Sequence, residues 1–377
     1  MPVPLSLDDH PHAAAVLGSA LRPGGSPSHA YLFGGPAGTG KRATARAFAA
    51  ELLAENARDP ESARARTRSG AHPDLTWVVP SGAHEMLRRD VDDAVVSAAT
   101  RTPFESERRV FVLERAETMN DEAANRLLKT LEEPAEYVVL LLLSDRPNQI
   151  LPTIASRCQY VRFDPLGAET IASALEADGV EPSVAKGCAR LALGDGERAR
   201  MLAGPEGSAL RSLAESLARA PLAGRVGQER PWDALLAVAG ARGRAVEAKL
   251  DEALTAELET LARSERRKRQ TEYAERSRRA SRRARTETLD VALGLAGLWY
   301  RDLACLAAGV PELVHHADRS VELGADAAGR TVFVLRDAVD LVEETRARLA
   351  FNVSEDLACE ALAYRLERLL EPASAGT

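Results

Sequence analysis

The stretch FGGPAGTGKR, Phe33 to Arg42, has the glycine spacing that wraps backbone N–H groups around a phosphate. Gly35, Gly38 and Gly40 permit the tight path, Thr39 lies within it, and Lys41 is placed to reach the β- and γ-phosphates of a nucleotide. HAYLF before the loop reads as a strand and RATARAFAAELLA after it as an Ala-rich helix, so the loop lies at the positive end of a helix dipole. The next position normally supplies a Ser or Thr hydroxyl to Mg²⁺, and here it is Arg42. A guanidinium has five donors and no acceptor, so it cannot ligate a metal. Thr44 lies two residues further on, on another face of the helix, and is a poor substitute.

A second position carries the same message. Phosphoryl transfer also needs a strand-end carboxylate for the metal and a residue that positions the attacking water. After VFVL the chain has Glu114 and then Arg115 where an active site of this type carries Asp and then Glu. Glu114 can still approach a metal, but Arg115 cannot orient water. The cradle is kept while the metal and water side is lost in two places. The expectation is a site that binds ATP without hydrolysing it efficiently, with Mg²⁺ binding left open.

The elements that must hold these residues follow from periodicity. Over residues 1–165 short apolar runs alternate with helical patterns, which predicts an α/β P-loop core with a parallel sheet covered on both faces. DLTWVVP, RRVFVLERA and YVVLLLLS supply further strands, the last hydrophobic without a break and so buried on both sides. NDEAANRLLKTLEEP is a helix that Asn120 or Asp121 caps and Pro134 ends. Beyond RFDPLG the strand signal stops. Residues 166–225 read as a region of short helices and residues 226–377 as an all-α region. Within the latter, residues 263–285 hold eleven basic and three acidic residues, net +8, and lack an apolar stripe. A solvated or frayed helical arm and a contact to a phosphate backbone or acidic partner both fit that composition.

Composition narrows the classes further. The net charge of −7 argues against a generic polyanion binder. Forty-four arginines against five lysines have the look of a GC-rich coding bias. Cys158, Cys188, Cys305 and Cys359 are far apart, which argues against a disulfide framework or zinc site and for a reducing cytoplasm. The N-terminus does not read as a signal peptide, no apolar run is long enough for a membrane span, and no membrane partner is expected.

HAYLFGGPAGTGK, HPDL (His72–Leu75), RRVFVLERAETMNDEAANRLLKTLEEP and LPTIASRCQ occur in this order. Together they resemble the AAA+ core of bacterial DNA polymerase III clamp-loader subunits, and AANRLLKTLEEP followed by SRC (Ser156–Cys158) is the most specific part. The resemblance covers about residues 1–165 and returns faintly at NVSEDLACEALAYRLERLL. It implies that residues 166–225 are a small helical lid and residues 226–377 a collar domain. It also implies that Arg157 is an arginine finger given in trans to a neighbouring subunit, that Ser144 is the polar sensor, and that Arg198 in GDGERARML is the lid sensor arginine. Within the family the eroded loop and strand motifs match the delta-prime branch, a stator, rather than the gamma/tau motor. The implied partners are gamma/tau and delta subunits in a hetero-oligomeric ring, the sliding clamp, and primed DNA through the assembled complex.

Two alternatives stay open, a gamma/tau-like ATPase rescued by Thr44 or Glu114, and a DNA-binding accessory subunit acting through the basic arm. Many relatives carry a four-cysteine zinc module before the HPD segment. Here that interval has no cysteine, so zinc is not expected. Pairs of Asp59 and Glu61 with nearby arginines are a candidate for what holds the interval instead.

Overall fold

Seven residues of unbroken burial, Val138–Ser144, form the middle strand of a five-stranded parallel sheet. In the computed structural model, which describes residues 10–22, 25–80, 85–260, 263–349 and 353–371, the strands are β1 (Ala30–Gly34), β2 (Leu75–Val78), β3 (Arg109–Leu113), β4 (Val138–Ser144) and β5 (Gln159–Arg162). Their order across the sheet is β2-β3-β4-β1-β5. The strand period of two divides the side chains between two cores. Leu32, Phe111, Leu113, Leu140 and Leu142 face one side, and Tyr31, Phe33, Val110, Val112, Val139, Leu141 and Leu143 face the other.

Helices cover both faces, as an all-parallel sheet requires. α1 (Pro11–Ala20) and α2 (Lys41–Ala54) pack on the second side, and α3 (Pro60–Ser69) lies against α2. The first side is covered by α4 (Arg88–Val91), a π-turn at Asp92–Val96, α5 (Ser97–Ala99) and α6 (Asp121–Glu132), with α7 (Pro152–Ala155) beside them. Asn120 supplies the α6 cap, accepting from the Ala123 N–H at 2.9 Å.

The cysteine-free interval is held by α3. Glu51 of α2 takes the Arg64 guanidinium at 2.9 Å, and Glu61 takes it at 2.8 Å from within α3. Asp59 does not pair with an arginine as expected. Its carboxylate caps α3 by accepting from the Ser62 N–H, because it immediately precedes the Pro60 that starts the helix.

The chain divides into two compact units, residues 1–167 with 194–197, and residues 168–193 with 198–377. Apart from residues 166, 167 and 194–197, the residues expected to form lid and collar fall together in the second unit, which is all-α among the described residues. It comprises α8 (Ala168–Ala177), α9 (Pro182–Leu191), most of α10 (Gly196–Ala203), α11 (Pro205–Leu222), α12 (Val226–Glu229), α13 (Pro231–Thr260), α14 (Arg263–Ala307), α15 (Ser320–Ala327), α16 (Val332–Leu349) and α17 (Glu355–Leu370). Its α11 is tied to the later helices by buried polar links, such as the Tyr300 hydroxyl donating to the Ala218 carbonyl at 2.8 Å. Trp232 and Trp299 are buried in this unit, and the Trp299 indole N–H donates to Asp326 at 3.2 Å.

The basic arm is the first half of α14, and its lack of an apolar stripe does not keep it from packing. Small residues make the contact with α13: a Cβ on Gly243 would lie 2.9 Å from Ser281 Oγ and 2.8 Å from Arg285 Cγ. Ser277 is buried, while Arg278 and Arg282 are exposed. Tight packing of small residues replaces the hydrophobic seam that a helix of this length usually shows.

Candidate functional site

In a parallel sheet the groups that meet a ligand stand at the C-terminal ends of the strands. Three such ends converge here. β1 runs into the glycine loop, β3 ends at Glu114, and β4 ends at Ser144 and Asp145. The register pairs Gly34 with Ser144, so the loop leaves the sheet beside the β4 terminus. The Gly35 N–H donates to the Ser144 carbonyl at 3.3 Å, and the buried Ser144 hydroxyl accepts from the Arg146 N–H at 3.1 Å.

The loop has the shape its glycines suggested. Gly38 and Gly40 have φ of 69° and 82°, the left-handed region that glycine enters without a Cβ penalty. Gly40 precedes the first residue of α2, which is Lys41. The lysine is buried, and Nζ is drawn back into its own loop. It donates to the Gly35 carbonyl at 2.7 Å, to the Pro36 carbonyl and to Thr39 Oγ1 at 3.3 Å, and it pairs with Asp145 at 2.8 Å. Asp145 escaped the sequence reading, although it stands one residue past Ser144 at a strand end beside β1.

The two irregular positions meet. Arg42 Nε lies 2.8 Å from Glu114 Oε1, and the Trp77 indole N–H donates to the same oxygen. Trp77 in turn stacks under Arg46, whose guanidinium carbon is 4.2 Å from the ring centroid. Burial, and next the like charge of Arg42, lower the Arg46 pKa from its ordinary value. A permanent cation thus sits where the carboxylate would meet a divalent ion, and the metal half of the site does not fit Mg²⁺. Thr44 is buried one turn inside α2, with its N–H on the Gly40 carbonyl. Among the described residues, no group of three or more His, Cys, Asp or Glu could hold a metal. Arg115 takes φ of 52° and starts a 3₁₀ turn, where the Thr118 hydroxyl donates to its carbonyl at 2.7 Å.

Arg157 stands apart from this cluster. It follows α7, half-exposed, with Nη1 donating to the Thr153 carbonyl at 2.8 Å and Nη2 pairing with Glu132 of α6 at 2.9 Å. Its neighbour Cys158 is half-buried against the first core, and burial raises its thiol pKa to about 12. Arg198 belongs to the second unit, on α10, and is half-buried there.

The HPD segment serves structure. Asp74, fully buried, accepts from the backbone N–H groups of Phe104, Glu105 and Ser106 at 2.6, 2.9 and 3.0 Å. His72 Nδ1 accepts from the Asp74 N–H at 3.2 Å, and its Nε2 faces Glu105 at 3.1 Å. Burial first, opposed by the Glu105 carboxylate, sets its pKa below the ordinary histidine value.

Residues 10–167 match the family model described as "DNA polymerase III, delta subunit". Over 139 residues the chain is 44% identical to the DNA polymerase III subunit delta' of Pseudomonas aeruginosa, which is 35% of this chain and 42% of that protein. The Bacillus subtilis subunit of the same name is 37% identical over 163 residues, 42% of this chain and 49% of that protein. Through this region the chain is similar to DNA polymerase III delta-prime subunits. The B. subtilis tau subunit is also similar, at 33% over 152 residues, which is 38% of this chain and 26% of that protein. The chain thus aligns with less than half the length of these relatives, and the span matched by the family model includes the loop, Glu114, Ser144 and Arg157.

Proposed function

We propose that the chain acts as a delta-prime-like stator in a DNA polymerase III clamp loader. It holds its place in a ring with gamma/tau and delta subunits, lends Arg157 to a neighbour's nucleotide, and takes part in placing the sliding clamp on primed DNA. Its own loop binds ATP weakly and hydrolyses it poorly or not at all. One observation carries this reading: the Arg42–Glu114 ion pair occupies the metal side of the pocket. Arg157 supports it from the other direction. Its ion pair with Glu132 is a surface pair, a class worth roughly 0–1 kcal/mol. A neighbour's triphosphate, with more charge and bidentate geometry, competes well against one carboxylate. Ser144, buried beside the first residue of the loop, fits the sensor role, and Arg198 is proposed as the lid sensor arginine.

The test is ATP turnover by the complex reconstituted with gamma/tau and delta subunits. Arg157→Ala is expected to slow turnover by about 10³-fold, at the lower end of arginine-finger effects, with the subunit still folded and incorporated. Unchanged turnover in a correctly assembled complex removes the finger assignment. Failure of the wild-type chain to enter such a complex removes the clamp-loader reading as a whole.

A further inference from the structure

Between α9 and α10 the chain brings Gly194, Asp195 and Gly196 into the first unit, where Asp195 and Gly196 lie on the glycine loop. Leu193 and Gly194 both take left-handed backbone, with φ of 54° and 88°. For a leucine that conformation is unfavourable, and here it turns the chain sharply enough to aim the next side chain at the loop. The segment is pinned on both sides. The Leu166 N–H donates to the Gly194 carbonyl at 3.3 Å, and the Gly196 N–H donates to the Gly38 carbonyl at 3.2 Å. Between these anchors the Asp195 carboxylate is laid against Gly38. A Cβ at Gly38 would fall 1.6 Å from Asp195 Oδ1 and 2.4 Å from Oδ2, so the carboxylate occupies the space that a side chain at position 38 would take.

We propose that Asp195 competes with nucleotide phosphate for this loop, so that ATP or ADP binds only when the Asp195 carboxylate moves off Gly38. The loop's amides and the N-terminus of α2 favour an anion, and the chain supplies one of its own. A polyphosphate brought to the same loop meets a carboxylate already in contact with its central glycine, and like charges at that distance exclude one another. Lys41 takes part in the same closed arrangement, since its Nζ is shared among the loop's carbonyls and Asp145. The inference rests on residues 35–41 being a phosphate loop, and not on the chain's place in a clamp loader.

The experiment is calorimetric titration of the full chain with ATP and with ADP, comparing wild type, Asp195→Asn, Asp195→Ala and the double variant Asp195→Asn with Lys41→Ala. If the carboxylate-in state holds roughly 90–99% of the molecules, its removal strengthens apparent affinity about 10–100-fold. That gain is expected in both single variants and is expected to vanish in the double variant. Asparagine is nearly isosteric, and circular dichroism with a thermal melt verifies that each variant is folded. Equal affinity of wild type and both single variants overturns the proposal, whether all bind tightly or none binds. So does a gain that survives loss of Lys41. Neither result touches the assembly test of Arg157, so the two ideas fail separately.

Discussion

At the scale of single residues, the pocket is defined by which charges meet. Arg42 and Glu114 were each identifiable in the sequence as departures from the motif. Their pairing was not, because it depends on how the first turn of α2 faces the end of β3. Trp77, which donates to Glu114 from β2, carried no sequence signal; only the register of β2 on β3 places it there. Glu114→Ala is expected to destabilise the fold by about 1–3 kcal/mol, because it strands the Trp77 indole N–H. The breaking of the pair with the largely exposed Arg42 adds little. Urea unfolding, with a change in Trp77 fluorescence, checks both the magnitude and the contact.

Asp302 gives a second residue-scale prediction, this one with a pH sign. It is fully buried, which opposes its ionisation. Hydrogen bonds from the side chains and backbone N–H groups of His315 and His316 outweigh that and hold its pKa well below the usual carboxylate range. A depressed native pKa gives stability that is fully present above the unfolded value of about 3.9. That contribution is lost as pH falls below about 4 toward the native value. Asp302→Asn is expected to cost about 2–3 kcal/mol at pH 7, and much less in acid. Urea midpoints at the two pH values measure this difference; an equal loss at both refutes the account.

At the scale of elements, periodicity and end signals carried the α/β core well. The unbroken run of β4 gave a strand buried on both faces, and the cap-and-stop pattern around α6 fixed that helix, with Asn120 as its cap. Asn120→Ala is expected to cost about 1 kcal/mol by thermal or urea unfolding. What the sequence hid was packing made by small residues. The arm of α14 has no apolar stripe, so a solvated extension was a fair reading. Gly243 lets Ser281 and Arg285 approach α13 with no seam to advertise it. Gly243→Val is expected to destabilise the second unit by about 1–3 kcal/mol, since a branched side chain must displace the Ser281 backbone carbonyl at 3.0 Å from a Cβ. A cooperative loss of helical signal at lower urea is the readout.

At the scale of the whole molecule, a five-stranded parallel sheet holds a glycine loop whose lysine is turned back onto its own carbonyls and beside which Arg42 pairs with Glu114. The motif order along residues 1–165 foreshadowed the similarity to delta-prime subunits, because AANRLLKTLEEP and SRC are specific strings with defined places on α6 and after α7. Asp195 was harder to see. GDG reads as a helix break, and nothing in its composition tells that the turn folds back onto Gly38. Across the described residues no helix is long and apolar enough to cross a membrane. Arg278 and Arg282, in the cationic first half of α14, are exposed, and the salt slope of DNA affinity with and without the arm tests a phosphate-backbone contact there.

The central claim is that a guanidinium paired with the strand-end carboxylate prevents this pocket from splitting its own triphosphate. Phosphate release by the isolated chain, with ATP and Mg²⁺ in excess, tests it most directly, with Lys41→Ala as the reference. Release no faster than that of Lys41→Ala is the expected result, and steady turnover that depends on Lys41 contradicts the account.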